Sequence, residues 1–163
     1  MFEWFQSIDG VALALLGAAI AFVFPATAGG VAGRMVAEGA NGVLAEDPNK
    51  FGQTLTLQAI TTTATIYGII ISFITLNSIG VFAGEIVELS TTTGAHFFLG
   101  AIPIAVAGTT TSLSQGRAAA AGVSLIAKRP EALGKAIAHA VMIEIFQIFG
   151  LLLSFMIIFN ISV

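Results

Sequence analysis

AIAHAVMIEIFQIFGLLLSFMIIFNISV, residues 136–163, contains a single formally charged side chain, Glu144. Ile143, Ile145, Phe146, Ile148 and Phe149 surround that carboxyl in sequence. A stretch this long and apolar reads as a transmembrane helix, because about 20 residues cross a bilayer core. A charged group at the centre of such a helix costs roughly 2.5–3.5 kcal/mol on insertion scales. A carboxyl kept against that cost points to function, and the rest of the chain is read outward from it.

Three more stretches share this character. Gly10–Gly33, Phe51–Gly84 and Leu89–Gly116 are uncharged throughout, and each is long enough to cross a bilayer. The whole chain has 163 residues, of which 56% are hydrophobic and 9% charged, against about a quarter charged in soluble domains. These values describe an all-α integral membrane protein with four spans, one membrane domain and no room for a soluble catalytic domain. Cys is absent, which excludes disulfides and thiolate metal sites. No basic footprint exists for nucleic acid. The opening MFEWFQSID has two acids and no Lys or Arg, so it lacks the basic region of a cleaved signal peptide. The first span is therefore expected to be retained, with Trp4 and its flanking Phe residues in an interfacial belt.

All six basic residues lie in two places. Arg34 and Lys50 bracket the first connection; Arg117, Lys128, Arg129 and Lys135 bracket the third. The middle connection has Glu85 and Glu88. The positive-inside rule then makes residues 38–50 and 127–135 cytoplasmic turns and places both termini outside.

The two hairpins repeat. Gly33-Arg34 answers Gly116-Arg117, Pro48 answers Pro130, Gly52 answers Gly134, Gly68 answers Gly150, and Ser72-Phe73 answers Ser154-Phe155. The offset is 83 before the turn (116 − 33) and 82 after it (130 − 48). Two spans per unit keep the same orientation, so this is a parallel duplication, unlike the inverted repeats of many transporters. Residues 1–84 form the first hairpin and 85–163 the second. On the 82 offset Glu144 corresponds to Thr62, so only the second hairpin has the carboxyl.

The spans also differ in bulk. Gly and Ala make up more than half of Gly10–Gly33, but in 136–163 they occur only at Ala136, Ala138, Ala140 and Gly150. Small residues recur four apart at Gly17, Ala21, Pro25, Gly29 and Gly33, and again at Gly100, Gly108, Ser112 and Gly116, broken only by Ile104. That spacing lets helix backbones approach closely in lipid. Thin odd-numbered helices and bulky even-numbered ones suit a homo-oligomeric ring, thin helices inside.

Counting from the cytoplasmic turns gives depth. Glu144 follows Pro130 at +14, and Gln115 precedes Lys128 at −13. At 1.5 Å per residue both sit about 20 Å from the turn. Thr62 and Thr63 reach the same level from Pro48, and Gln147 shares a helix face with Glu144. A carboxylate, two amides and a hydroxyl thus converge near mid-membrane. Thr61–Thr63 and Thr109–Thr111 also fit hydroxyls that bond their own backbone. His139 sits near the cytoplasmic end of its span, and His96 near the outer surface.

These features together resemble the rotor-ring proteolipid subunit of V-type and archaeal-type rotary ATPases in its duplicated, four-helix form. The carriers are Gly116-Arg117 followed by Ala118–Gly122, Lys128-Arg129-Pro130-Glu131, Met142-Ile143-Glu144 and Phe51-Gly52-Gln53. The resemblance implies a ring of identical subunits turning against a stator subunit that presents a cationic side chain. It implies a central-stalk subunit on the cytoplasmic side and lipid around the ring. This chain would carry H⁺ or Na⁺ on Glu144, with no cofactor and no ATP site of its own. In sodium-coupled members it implies a Gln on the third span, and a Thr-Gln pair and a Tyr on the second. Gln115, Thr63 and Tyr67 match; Ala64 stands where the second Gln would be, and Gln147 is level with it. Sodium needs several oxygens. Glu144, Gln115, Thr63 and the Ile60 backbone carbonyl supply four. Two other classes remain: a small four-helix antiporter, which would want aromatic side chains around a drug site and no tandem repeat, and a structural pore protein, for which Glu144→Gln would be harmless.

Overall fold

The structure, a computed structural model, describes residues 9–163; the expected belt at Trp4 lies outside them. Among the described residues all regular structure is helical. Helix α1 spans Gly10–Glu46. After a short 3₁₀ turn at Pro48–Lys50, the second span is split into α2, Phe51–Ile60, and α3, Thr63–Ser78. Helix α4 spans Thr91–Lys128. A second 3₁₀ turn at Pro130–Ala132 leads into α5, Leu133–Phe159. With the turns included, this makes four membrane-length apolar spans, of 37, 31, 38 and 30 residues.

The turns at Pro48 and Pro130 are tighter than the charge pattern suggested. Residues 38–46 and 127–128 are helical, and helix resumes at Leu133 rather than after Lys135. Gly39 and Gly42 lower helix propensity but do not end a long helix that already has its hydrogen-bond ladder. What ends it is a proline, which pushes the residue before it into extended backbone. Asp47, before Pro48, has φ −142° and ψ 94°; Arg129, before Pro130, has φ −140° and ψ 83°. The matching angles show the repeat at backbone level. The 38 residues of α4 reach about 57 Å, so it extends well past a bilayer core of about 30 Å.

The break in the second span has a local cause. Thr61, Thr62 and Thr63 donate their hydroxyls to the carbonyls of Gln58, Ala59 and Ile60. The amides of Thr61 and Thr62 pair with the carbonyls three residues back, tightening the turn. Three consecutive hydroxyls bonding back on the helix compete with its ladder. Thr109, Thr110 and Thr111 do the same within α4 without breaking it. Past Ser78 the connection between the hairpins closes at Gly80, φ 81°, a left-handed backbone angle that suits glycine.

The small-residue stripes divide between two neighbours. Gly17 lies against the Phe97–Phe98 backbone, Gly108 against Pro25, and Gly116 against Ala32, so α1 and α4 pack closely and in parallel. Gly29 instead faces Thr65 Oγ1, and Gly33 faces Thr61 Oγ1. Serines at equivalent positions join each hairpin. Ser72 Oγ donates to Ala18 O at 2.6 Å, and Ser154 Oγ accepts from Ile104 N at 3.0 Å. At the turns Lys50 Nζ donates to Ala127 O at 2.7 Å and Gln53 Nε2 to Pro130 O at 3.2 Å, tying one hairpin to the other. Two apolar clusters result. One holds Ile71, Phe97, Ile104 and Ile158; the other, nearer the turns, holds Val36, Leu57, Val123 and Ile126. Between them lies a polar layer.

Candidate functional site

That layer is built by three spans. Helix α5 supplies Glu144, half-buried, and Gln147, fully buried one turn further on. Helix α4 supplies the fully buried Gln115. Helix α3 supplies Tyr67, whose side chain leans back toward the N-terminus of its helix, as helical side chains do. Tyr67 Oη donates to Glu144 Oε1 at 2.6 Å. Gln115 Nε2 lies 3.4 Å from Glu144 Oε2 and 3.4 Å from Ala140 O. Gln147 Nε2 donates to Gln115 Oε1 at 3.1 Å.

Thr63 and Ile60 stand slightly apart. Thr63 Oγ1 donates to the Ile60 carbonyl at 3.2 Å, and among the described residues no hydrogen bond joins Thr63 to Glu144. Both residues lie at the helix break, where the backbone departs from regular α geometry. Ala64 is fully buried, and its side chain contributes no polar atom. His96 and His139 are exposed and outside the layer, as are Glu85 and Glu88. Among the described residues no group of three His, Cys, Asp or Glu side chains converges.

Two members of the layer were not anticipated. The Ala140 carbonyl, one turn before Glu144, accepts from Gln115. Ser112, one turn from Gln115 on α4, is fully buried with an unpartnered Oγ. Its i,i−3 spacing from Gln115 was the available signal; the carbonyl had none, since every residue has one.

Chemically, the layer can hold one carboxylate among donors. Tyr67 and Gln115 offer O–H and N–H to its two oxygens, which suits the ionised form. Gln147 Oε1 and Ser112 Oγ are buried without a hydrogen-bond partner.

The sequence profile of the ATP synthase C subunit matches the chain twice, over residues 16–75 and 98–157. The chain belongs to the ATP synthase C-subunit family. Its two matches are the two hairpins of the duplication. The V-type sodium ATPase subunit K of Enterococcus hirae is 33% identical over 151 residues, covering 93% of each chain. The A-type ATP synthase subunit K of Methanocaldococcus jannaschii is 28% identical over 151 residues, 93% of this chain and 64% of that protein's length. The chain is thus an integral membrane, ion-carrying subunit of the rotor ring of a V/A-type rotary ATPase, a family that forms rings within ATPase complexes. The antiporter and pore readings are not favoured.

Proposed function

We propose that Glu144 is the cation-carrying carboxylate, held by Tyr67 and Gln115, with Gln147, Thr63 and the Ile60 carbonyl completing the site. The observation that supports this most is the 2.6 Å bond from Tyr67 to a carboxylate in the middle of an apolar span, with Gln115 on its other oxygen. Facing lipid, the carboxylate is neutralised by a cation or a proton, because an ionised group is too costly to leave bare there. Beside a cationic stator side chain and an aqueous path it ionises and releases its ion. Rotation carries each protomer from one condition to the other.

Sodium is the favoured cargo and H⁺ the alternative. Glu144, Gln115, Thr63 and Ile60 supply more oxygens than a proton needs. The Enterococcus hirae relative, similar over most of its length, is by name a sodium ATPase subunit. Ala64 removes one possible oxygen, and Gln147, buried and bonded to Gln115, supports the remaining set from behind it. The chain has no catalytic site of its own; nucleotide chemistry belongs to other subunits. The two turns face the cytoplasm and a central-stalk subunit, both termini face outward, and α1 and α4 line the inside of the ring with lipid outside. Residues 1–84 and 85–163 are the two halves of one membrane domain.

The test is competition at fixed pH. A hydrophobic carbodiimide attacks protonated carboxyls in apolar surroundings and should modify Glu144 at low dose. Millimolar sodium should slow that labelling. Labelling that follows pH and ignores sodium makes this a proton ring; labelling that ignores both removes Glu144 from the carrier role.

A further inference from the structure

Gln115 and Gln147 are both fully buried, sit on neighbouring helices and bond to each other. Their order leaves one atom unserved. Gln147 Oε1 has no partner, and neither does Ser112 Oγ at the same depth. Unserved buried oxygens are costly, and each calls for an explanation. Ala64, fully buried on the second span, brings no polar side-chain atom to this pair.

A carboxamide has a carbonyl on one side and an N–H₂ on the other. Turning both amides over together preserves the bond between them, now from Gln115 Nε2 to Gln147 Oε1. The two orders differ in what they show Glu144. As the pair stands, Gln115 presents N–H, and Tyr67 presents O–H, to the two carboxylate oxygens. That suits an ionised carboxylate with no cargo. A carboxylate holding Na⁺ needs an oxygen toward the metal, and a protonated carboxyl needs an acceptor for its O–H. Either cargo calls for the Gln115 carbonyl.

We propose that Gln147 is a positioning residue for cation carriage: the Gln115–Gln147 pair turns over with the occupancy of Glu144, showing N–H to the empty carboxylate and C=O to the loaded one. This rests on reading Glu144 as the carrier. In the loaded order the Gln147 N–H₂ lies where its unpartnered oxygen now is, and Ser112 Oγ, one turn from Gln115 along α4, serves as the acceptor there. Gln147 therefore acts through Gln115 and not by touching the ion. Its effect falls on the loaded state. Without it, Gln115 can still donate to Ala140 O and Glu144 when empty, but when loaded its N–H₂ is buried with no acceptor.

The experiment uses assembled rings of the wild type, Gln147→Met and Ser112→Ala. Two midpoints are read at Glu144: the sodium concentration that half-protects it from carbodiimide, and, without sodium, the proton concentration that gives half-maximal labelling. In Gln147→Met rings of wild-type mass, whichever cation loads the wild type should bind about tenfold more weakly. Ser112→Ala should weaken it in the same direction by less. Infrared difference spectra between loaded and empty wild-type rings, made with carboxamide-¹³C glutamine, should show a glutamine carbonyl band that shifts, and this needs no variant. Midpoints within twofold of wild type in Gln147→Met, or a wild-type spectrum with no glutamine band, overturn the proposal. Failure of the carrier reading looks different: wild-type labelling would then ignore both cations.

Discussion

Removing one hydroxyl tests the geometry of the carrier most directly. Tyr67→Phe deletes the donor 2.6 Å from Glu144 Oε1 and leaves the volume of the aromatic side chain nearly unchanged. Tyr67 and Glu144 come from different hairpins, 77 residues apart, so no local helix bond substitutes for it. A hydrogen bond to a charged group contributes about 1.5–3 kcal/mol net. Glu144 is only half-buried within one chain, which argues for the lower end. About 1.5 kcal/mol corresponds to roughly a tenfold change in binding. The bond holds Glu144 against α3, beside Gln115, and is absent when the side chain swings outward. Its loss therefore lets the empty carboxylate leave the site and weakens cation binding. In purified Tyr67→Phe rings the sodium concentration that half-protects Glu144 from carbodiimide should rise about tenfold at fixed pH, and labelling without sodium should be faster. A midpoint within twofold of wild type, in rings of normal mass, would refute the claim that this hydroxyl holds the carboxylate closed.

Glu144→Gln should abolish ATP-driven ion transport while rings still form, checked by vesicle uptake and ring mass; retained pumping would sink the carrier reading. At Gly116 an added Cβ would lie 2.6 Å from both Cα and Cβ of Ala32, so Gly116→Ala should lower ring thermal stability by about 1–3 kcal/mol through over-packing, and Gly116→Leu should block assembly. Ser72→Ala removes the 2.6 Å bond to Ala18 O and should cost about 0.5–1.5 kcal/mol in the same thermal assay without moving the ion midpoint.

Much of this architecture is legible in the chain because lipid permits few alternatives. Apolar runs of membrane length imply helices, the offset of equivalent prolines implies the duplication, and counting from the turn at Lys128–Pro130 places Gln115 beside Glu144, where a 3.4 Å contact is found. The turns were less legible. Charges and glycines in 38–46 resemble loop composition, yet a helix already nucleated continues until Asp47 is forced extended by Pro48. The split at Thr61–Thr62 follows from hydroxyls that either bond back or stay idle, and composition does not say which. Tyr67 is the instructive member of the site. It lies more than a helical turn past Thr62 in sequence, outside the depth shared with Glu144, and only the family resemblance singled it out. A tyrosine spans the gap because its side chain is long and leans toward the helix N-terminus. Depth counted along Cα positions misses that reach.

The duplication with a single carboxyl raises the question of what the first hairpin does. Thr62 occupies the equivalent of Glu144, exposed, its hydroxyl committed to Ala59 O. The equivalents of Gln115 and Gln147 are Ala32 and Thr65, by the offsets of 83 and 82. Tyr67 belongs to the first hairpin and serves the carboxyl of the second. So the first hairpin is part of the same site and not a silent copy of it. Each charge moved against 100 mV costs about 2.3 kcal/mol. A ring with one carrier per four helices moves fewer ions per turn than a ring of the same helix number with one carrier per two, and so works against a steeper gradient. Restoring a carboxyl should not undo this. In Thr62→Glu the new group meets Ala32 where Glu144 meets Gln115, with no amide to turn toward a cation. Sodium should still protect one carboxyl per chain from carbodiimide, Glu144, while the carboxyl introduced at position 62 labels without protection. The ion-to-ATP ratio of the complex should not double. Two sodium-protected carboxyls per Thr62→Glu chain would show that depth alone makes a carrier, and that the amides and Tyr67 around Glu144 are dispensable.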